Sequence, residues 1–241
     1  MKILPLLSLT VLPLLFAACG GGGEEAPEAG GASEGAVPSG WNALEIDVPQ
    51  AVDIGTPEEV ELPNLDKSSH GKPADVYVPD GVKNVALGKT VTSSDEFDPI
   101  MGSWDQLVDG EKQTSDGYFI ELSSLGLQWV QIDLGEPMDL YAIAVWHYFQ
   151  QPRAYKDVVI ILSNDPGFSS GDEVIVFNND HDDSAGFGEG SDMTYFETNW
   201  GKRISTSPNG EAINAQYVRL YSNGSTSDDL NHYVEVEVYG K

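Results

Sequence analysis

From Lys83 onward, short runs of the chain alternate between apolar and polar residues. In residues 128–134 (QWVQIDL), Val130, Ile132 and Leu134 share one side of the run and the residues between them take the other. Successive side chains of a β-strand point to opposite faces of its sheet, so such a run predicts a strand with one buried face. The pattern recurs, with Gly, Asn, Asp, Ser and Pro between the runs, in Val158/Ile160/Leu162, Val218/Leu220 and Val234/Val236/Val238. We therefore predict an all-β fold in which two sheets pack face to face as a sandwich.

The N-terminus has the pattern of an export signal. Lys2 precedes an apolar run to residue 18 that contains Pro5 and Pro13 and is shorter than the ~20 residues of a spanning helix. The only cysteine follows in residues 15–19 (LFAAC), a context that resembles the lipobox of bacterial lipoproteins. The resemblance implies a signal peptide over 1–18, lipidation at Cys19 and anchoring in a Gram-negative-type envelope, at the outer membrane because Gly rather than Asp follows. The alternative is a simple secretory peptide with an incidental cysteine.

Residues 19–82 are acidic and rich in Gly and Pro, a composition that predicts a disordered, flexible tether. Leu44, Ile46 and Val48 are apolar residues within it that would dock on the domain as extended strands. The folded domain is then expected over 83–241.

Charge excludes one class of partner. The chain has 12 Lys and Arg against 39 Asp and Glu, a formal net charge of −27, so attraction to a phosphate backbone is disfavoured and nucleic acid is not expected as a partner. A single cysteine also permits no intramolecular disulfide.

Five short sequence segments of the domain, in their order along the chain, resemble those of a known family. They are 84–94 (NVALGKTVTSS), 107–110 (LVDG), 128–135 (QWVQIDLG), 217–221 (YVRLY) and 234–240 (VEVEVYG). Together they resemble the discoidin, or coagulation-factor C-type (F5/8 type C), domain of the galactose-binding-like superfamily. The resemblance implies a jelly-roll β-sandwich with its chain ends close together and binding loops at one end, and it favours a binding module over any particular ligand.

The same resemblance implies a structural calcium ion. The matching positions are Asp109, Thr114 and Glu235, with Glu237 as the substitute, and Gly110 permits the tight turn. Lys112 stands close by, where an ammonium group would replace the ion electrostatically. Acidic turn residues and solvent-facing strand carboxylates are the alternative reading of the same positions.

Two polar stretches are candidates for ligand binding. Aromatic rings stack on the apolar face of a sugar and Arg binds carboxylates or hydroxyl pairs, and this chemistry points to His147, Tyr148 and Arg153, while alternation predicts that Trp146 is buried. The second stretch offers amide, carboxylate and imidazole groups for sugar hydroxyls or a divalent cation, although such runs are also typical of tight turns. Its candidates, together with one further histidine, are Asn179, Asp180, His181, Asp182 and His232.

The chain contains no recognisable catalytic motif, so an enzyme is not expected. An enzyme remains open only if His147, His181 and His232 meet as a metal site. The function predicted is that of a lipid-anchored, non-catalytic envelope module that binds a glycan through its loops. The alternative is a protein-interaction subunit that tethers a partner enzyme or electron carrier, so the expected partners are a glycan or an envelope or extracellular protein.

Overall fold

The computed structural model describes residues 37–51, 60–114 and 117–241. The signal peptide, Cys19 and the first part of the tether lie outside these residues. Residues Val37–Lys241 belong to a single compact unit, and no helix of the described part is long and apolar enough to cross a bilayer.

The described chain is built from antiparallel strands and one short 3-10 helix, Trp104–Val108. The all-β class predicted from the alternation is therefore confirmed. In chain order the strands are β1 (Trp41–Ala43), β2 (Tyr77–Pro79), β3 (Lys83–Asn84), β4 (Thr90–Ser93), β5 (Ile120–Glu121), β6 (Gln128–His147), β7 (Val159–Ser163), β8 (Val174–Asn178), β9 (Lys202–Ser205), β10 (Ile213–Ser222) and β11 (His232–Gly240).

Strand β6 belongs to both layers of the sandwich. Its first half pairs with β4 and β10, and its second half pairs with β9 and β11. Alternate residues of both halves, such as Ile132 and Ile143, enter the same buried core together with Val218 and Val236. The two halves of one strand therefore form the two sheets that enclose the core.

The strand register shows which loops lie together at one end of the sandwich. Ser222 pairs with Gln128 at the start of β6, and Tyr233 pairs with His147 at its end. The short loop 223–231 joins those two pairs, so both ends of β6 lie at one end of the sandwich. Tyr239 pairs with Asn84, so the ends of the domain are also close together. Both features are those that the discoidin-type resemblance implies.

A bulge in β11 corrects one predicted face. The register shifts between Tyr233 and Glu235, where β11 pairs with β6. Val236 and Val238 enter the core as predicted, but Val234 packs on the opposite face of the sheet, because a bulge adds a residue and reverses the alternation.

The proposed boundary of the tether at residue 82 is wrong. Strands β1 and β2 pair with each other, and Trp41, Leu44 and Val78 pack on the outer face of the second sheet against Tyr141. Residues 60–65 pack elsewhere on the domain, around Phe196. The apolar residues dispersed in this Pro-rich segment bury enough surface to hold it in place, and its irregular spacing explains why no strand period is visible in the sequence. The compact unit begins at Val37.

The covered outer face of the second sheet is also where Trp146 lies. Its side chain is fully buried, as predicted, and its Nε1 donates a hydrogen bond of 2.9 Å to the carbonyl of Asn199. Gly201 has φ +66°, and a Cβ atom there would lie 2.5 Å from the indole ring, so only glycine fits at this turn.

Candidate functional site

Four predicted ligand residues come together at the loop end of the sandwich. They are His147, Tyr148 and Arg153, which are close together in sequence, and the distant His232. Strand β6, the loop after it and β11 bring them into one aromatic cluster.

His147 is an internal residue of this cluster. Its side chain is fully buried, its Nδ1 lies 2.8 Å from the Oε1 atom of Glu197, and its ring packs between Tyr155 and Tyr233 at centroid distances of 4.4 and 4.6 Å. A ligand does not reach this ring in the described arrangement, so the role predicted for His147 as a direct ligand contact is wrong. Its position fixes the aromatic rings around it.

His232 forms a hydrogen bond with Tyr155, one of the two tyrosines that stack on His147. Its Nδ1 lies 2.9 Å from the Tyr155 hydroxyl and its Nε2 lies 3.2 Å from Glu121. Burial lowers the pKa of His232, and the nearby carboxylate of Asp228 partly opposes that shift. Burial also raises the pKa of Tyr155 well above its usual value. The pair is therefore a neutral hydrogen-bonded unit at pH 7.

Tyr148 is the partly exposed member of the cluster. The guanidinium carbon of Arg153 lies 4.8 Å from the centre of its ring, and Phe119 contacts it at 4.8 Å. Arg153 itself is buried, and its two terminal nitrogens donate to Asp228 (3.3 Å) and Gln151 (2.8 Å). These contacts hold the Tyr148 ring in place with part of its surface open to solvent.

A polar cleft lies beside this cluster. Its volume is about 830 Å³, and its walls come from the loop after β10, from the loop after β6 and from the segment 60–62. Asp228 joins the cleft to the cluster because it lines the one and accepts a hydrogen bond from Arg153 in the other. The polar groups of the cleft are Glu61, Lys156, Ser225, Thr226, Ser227, Asp228 and Asp229.

The second predicted stretch, after β8, uses its polar side chains on its own backbone. Asp180 is fully buried, and its carboxylate accepts hydrogen bonds from the amides of Ser184 and Ala185. The Oδ1 atom of Asn179 accepts from the amide of Val158, and His181 Nδ1 lies 3.1 Å from the carbonyl of Gly190. These contacts are those of a tight, internally held loop.

Asp182 is the exposed one among the four residues predicted in this loop. Its carboxylate accepts a hydrogen bond from the amide of Ser184, and hydrogen bonds lower its pKa. Oxygens of Asp157, Asp180 and Asp182 lie within 4.8 Å of one another, and this is the only such group of metal-ligand types among the described residues. It contains no histidine, so a site formed by His147, His181 and His232 is not present in the described part.

The positions implied for calcium contain a buried lysine. The Nζ atom of Lys112 lies 2.7 Å from Oε1 of Glu237 and 5.2 Å from the centre of the Trp146 ring. The other oxygen of Glu237 accepts a hydrogen bond of 2.6 Å from the Tyr239 hydroxyl. Both oxygens of Glu237 therefore already have partners.

Glu235 and Asp109 are also engaged. Burial, followed by the nearby charge of Glu237, raises the pKa of Glu235 to about 9, so this group is a neutral acid at pH 7. Glu235 accepts a hydrogen bond from the amide of Gly110, and Asp109 accepts one of 2.5 Å from the Tyr118 hydroxyl. Thr114 is buried. These residues fit an internal ammonium group better than a calcium ion, and the reading as solvent-facing strand carboxylates is wrong because both glutamates are buried.

The sequence reasoning missed several residues of the loop-end cluster. Phe119, Glu121, Tyr155, Glu197 and Asp228 supply most of its contacts. The polar loop 223–231 between two apolar strands was the one signal for Asp228, because such loops often carry binding residues.

No protein-family profile matches the chain, and no curated protein is similar to it. Solved structures do match. A chitosan-binding module of a chitosanase/glucanase from Paenibacillus sp. IK-5 is 21% identical, with a TM-score of 0.44 over 66% of this chain and 99% of that one. The CBM32 of AlyQ, solved with 4,5-unsaturated mannuronic acid, is 20% identical, with a TM-score of 0.42 over 62% and 92%. A fucolectin from striped bass (Morone saxatilis) serum is 20% identical, with a TM-score of 0.44 over 66% and 49%. At such identities and scores these likenesses do not decide what this chain binds.

Proposed function

We propose that this protein is a non-catalytic carbohydrate-binding module that is anchored in the cell envelope and holds a glycan at the loop end of its sandwich. The observation that carries the proposal is the partly exposed Tyr148 ring, which Arg153 and Phe119 hold in place beside a polar cleft.

The chemistry of the cluster suits a sugar. An aromatic face packs against the apolar C–H face of a pyranose, and a ring that is already held loses little conformational freedom on binding. Hydroxyl, carboxylate and ammonium groups of Ser225, Asp228 and Lys156 line the cleft within which sugar hydroxyls would find donors and acceptors. A few fixed polar groups beside an aromatic surface are the usual composition of a small-molecule site.

The experiment is a glycan array with the full chain carrying Cys19→Ser, followed by calorimetric titration of the best ligand. Tyr148→Ala should weaken binding by about tenfold, while Tyr148→Phe, which keeps the ring, should stay within about threefold. The matched control is Tyr77→Ala, an exposed tyrosine on β2 away from the loop end. A blank array, or equal affinities for Tyr148→Ala and the parent chain, would contradict the proposal.

Anchoring is a separate part of the proposal and rests on the sequence around Cys19. Acylation at that cysteine, after removal of residues 1–18, would place the module at the outer membrane by more than one acyl chain, as stable attachment requires. Labelling cells with a fatty-acid analogue tests it: the parent chain should carry the label in the membrane fraction, and Cys19→Ser should carry none. Label on Cys19→Ser would refute the assignment.

A specific surface supports the second candidate, a protein-interaction subunit. Phe97, Ile100 and Leu125 are 72%, 61% and 69% exposed on two loops that Asp95 joins through hydrogen bonds to Ser123 and Gln128. Neighbouring exposed apolar side chains are typical of surfaces that contact a partner. Crosslinking in cells would favour this candidate if Phe97→Ser together with Leu125→Ser removes a fixed partner and leaves glycan binding intact.

A further inference from the structure

A second groove lies on the outer side of the domain, apart from the loop-end cleft. It has a volume of about 470 Å³ and runs between the segment 66–76 and strand β9. It shares no lining residue with the loop-end cleft. Its volume falls within the roughly 300–1,000 Å³ of sites for small ligands.

The groove collects positive charge in a protein that has little. Only 12 Lys and Arg stand against 39 acidic residues, yet Lys72, Lys202 and Arg203 all line this one groove. Two acidic residues line it as well, and both have partners. Asp66 accepts hydrogen bonds from the amide and hydroxyl of Ser68, and Asp75 pairs with Lys72 at 3.1 Å.

The two remaining cations have no such partner. In the part of the chain that the structure describes, no carboxylate oxygen lies within 4 Å of the Lys202 ammonium, which instead packs over the rings of Tyr195 (4.9 Å) and Phe177 (5.0 Å). Burial lowers the pKa of Lys202, and the carboxylates of Asp192, Asp66 and Glu197 oppose this shift without cancelling it.

Arg203 differs from the other two arginines. Arg153 and Arg219 donate several side-chain hydrogen bonds, whereas within the described residues the guanidinium of Arg203 makes none. Its Nε is buried without a partner, as is that of Arg153. A guanidinium in this state is ready to bind an oxyanion through two parallel hydrogen bonds.

The rest of the lining suits a sugar more than a bare anion. The hydroxyls of Ser68, Ser69 and Ser205 line the groove, and so do the buried aromatic residues Tyr195 and Phe196. The Tyr195 hydroxyl is buried and has no hydrogen-bond partner among the described residues. Hydroxyls and an aromatic wall beside two unpaired cations match a ring that bears both hydroxyl groups and an acid.

We propose that this groove is a second saccharide site, specific for a short acidic sugar whose carboxylate or sulfate is bound by Arg203 and Lys202. The proposal rests on the proposed carbohydrate-binding function and assigns it a ligand class and a second position. The net charge of −27 repels long polyanions, so the ligand is a short acidic saccharide or the end of a chain.

The test is a calorimetric titration of the full chain carrying Cys19→Ser with a uronic acid disaccharide, with the neutral disaccharide of the same linkage, with a sulfated disaccharide and with acetate alone. The acidic disaccharides should bind at least about tenfold more tightly than the neutral one, and acetate should bind far more weakly than either. Which acid binds best distinguishes a carboxylate from a sulfate. Equal binding of acetate and disaccharide, or of acidic and neutral disaccharides, would overturn the proposal.

Variants separate this site from the loop end. Arg203→Gln should weaken the acidic disaccharide by about tenfold, Arg203→Lys should restore part of the loss, and the charge-matched control Lys83→Gln on exposed strand β3 should change affinity by less than about twofold. Thermal unfolding of each variant confirms that it is folded. Equal changes in affinity for Arg203→Gln and Lys83→Gln would refute the proposal that the groove binds the acidic disaccharide.

The outcome for Tyr148→Ala distinguishes the two proposals. If the groove is correct, this variant binds the acidic disaccharide as the parent chain does. If Tyr148→Ala removes binding of every saccharide and Arg203→Gln removes none, the groove is wrong and the loop-end site stands. If Arg203→Gln removes binding of every saccharide and Tyr148→Ala removes none, the groove stands and the loop-end site is wrong.

Discussion

The loops after β6 and after β8 both contain several polar side chains, yet they use these side chains in opposite ways. In the loop after β6 (148–158), Arg153 reaches across to Asp228 in another loop and holds Tyr148 at the surface. In the loop after β8 (179–201), Asp180 binds amides only a few residues away. The polar side chains of the first loop form part of the protein surface, whereas those of the second loop mainly stabilise the loop's own backbone.

The difference teaches how to interpret runs of Asn and Asp. Short polar side chains reach their own backbone, so a dense run of them stabilises the loop that contains it. Long side chains such as Arg and Tyr reach neighbouring loops and can be arranged as a surface for a ligand. A dense polar run therefore indicates a rigid loop before it indicates a binding site.

The largest expected effect is a loss of stability on changing Asp180 in the loop after β8. Asp180→Ala removes the buried acceptor of the Ser184 and Ala185 amides, and the free energy of unfolding should fall by about 2 to 4 kcal/mol. Urea unfolding measures the loss. The control is Asp182→Ala in the same loop, an exposed residue whose removal should leave the free energy of unfolding nearly unchanged. The comparison breaks if Asp180→Ala abolishes saccharide binding and leaves stability unchanged.

A smaller effect, on binding, is expected in the other loop. Arg153→Met removes the cation beneath Tyr148 and the hydrogen bond to Asp228, so saccharide affinity at the loop end should fall by about tenfold. Calorimetry measures it, with Arg153→Lys as the variant that keeps the charge and loses the second hydrogen bond. An Arg153→Met protein that binds as tightly as the parent would show that Tyr148 needs no support.

A weaker effect should appear on changing the pH. Because burial lowers the pKa of His232 in the folded state, the unfolded chain binds a proton more readily. The stability from this group is present above the unfolded pKa of about 6.5 and is lost as the pH falls through the folded pKa, with a slope of at most about 1.4 kcal/mol per pH unit. Urea unfolding between pH 7.5 and 5 should show a shallower slope for His232→Gln than for the parent. Identical slopes of stability against pH for His232→Gln and the parent chain would contradict the prediction that His232 contributes to the pH dependence.

The smallest expected effect is that of calcium. Lys112 already supplies a positive charge to Glu237, so adding calcium or a chelator should leave the melting temperature of the parent chain unchanged. A rise of several degrees with calcium that Glu235→Gln abolishes would restore the calcium site at Asp109 and Glu235. A rise that Asp182→Ala abolishes would instead place an ion in the loop after β8.

Much of the fold could be predicted because it depends on local pattern. The alternation in 128–134 gave the correct faces of Val130, Ile132 and Leu134, and the burial of Trp146 followed from the same rule. The pattern failed at Val234, because a bulge depends on how β11 pairs with β6 and leaves no mark in composition. It failed also for the segment 60–82, whose apolar residues are too sparse to show a period.

The site was predicted only in part, for a related reason. Tyr148 and Arg153 were found because they are close together in sequence and carry suitable chemistry. Their contacts with Phe119 and Asp228 depend on loops that meet only when the sandwich closes. The groove lined by Lys202 and Arg203 has the same origin, since one of its walls is a segment that its composition assigns to a tether.

The sequence by itself determined the β class, the faces of most strands and the acidic charge of the chain, because these depend on neighbouring residues and on composition. The tertiary structure decided which polar side chains contact each other, which of them already have hydrogen-bond partners inside the protein, and which cations of the described residues have no partner. Those properties depend on contacts between residues that are distant in sequence. His147 illustrates both halves: its chemistry in the sequence made it a candidate ligand, but only its contact with Glu197 showed that it is an internal residue.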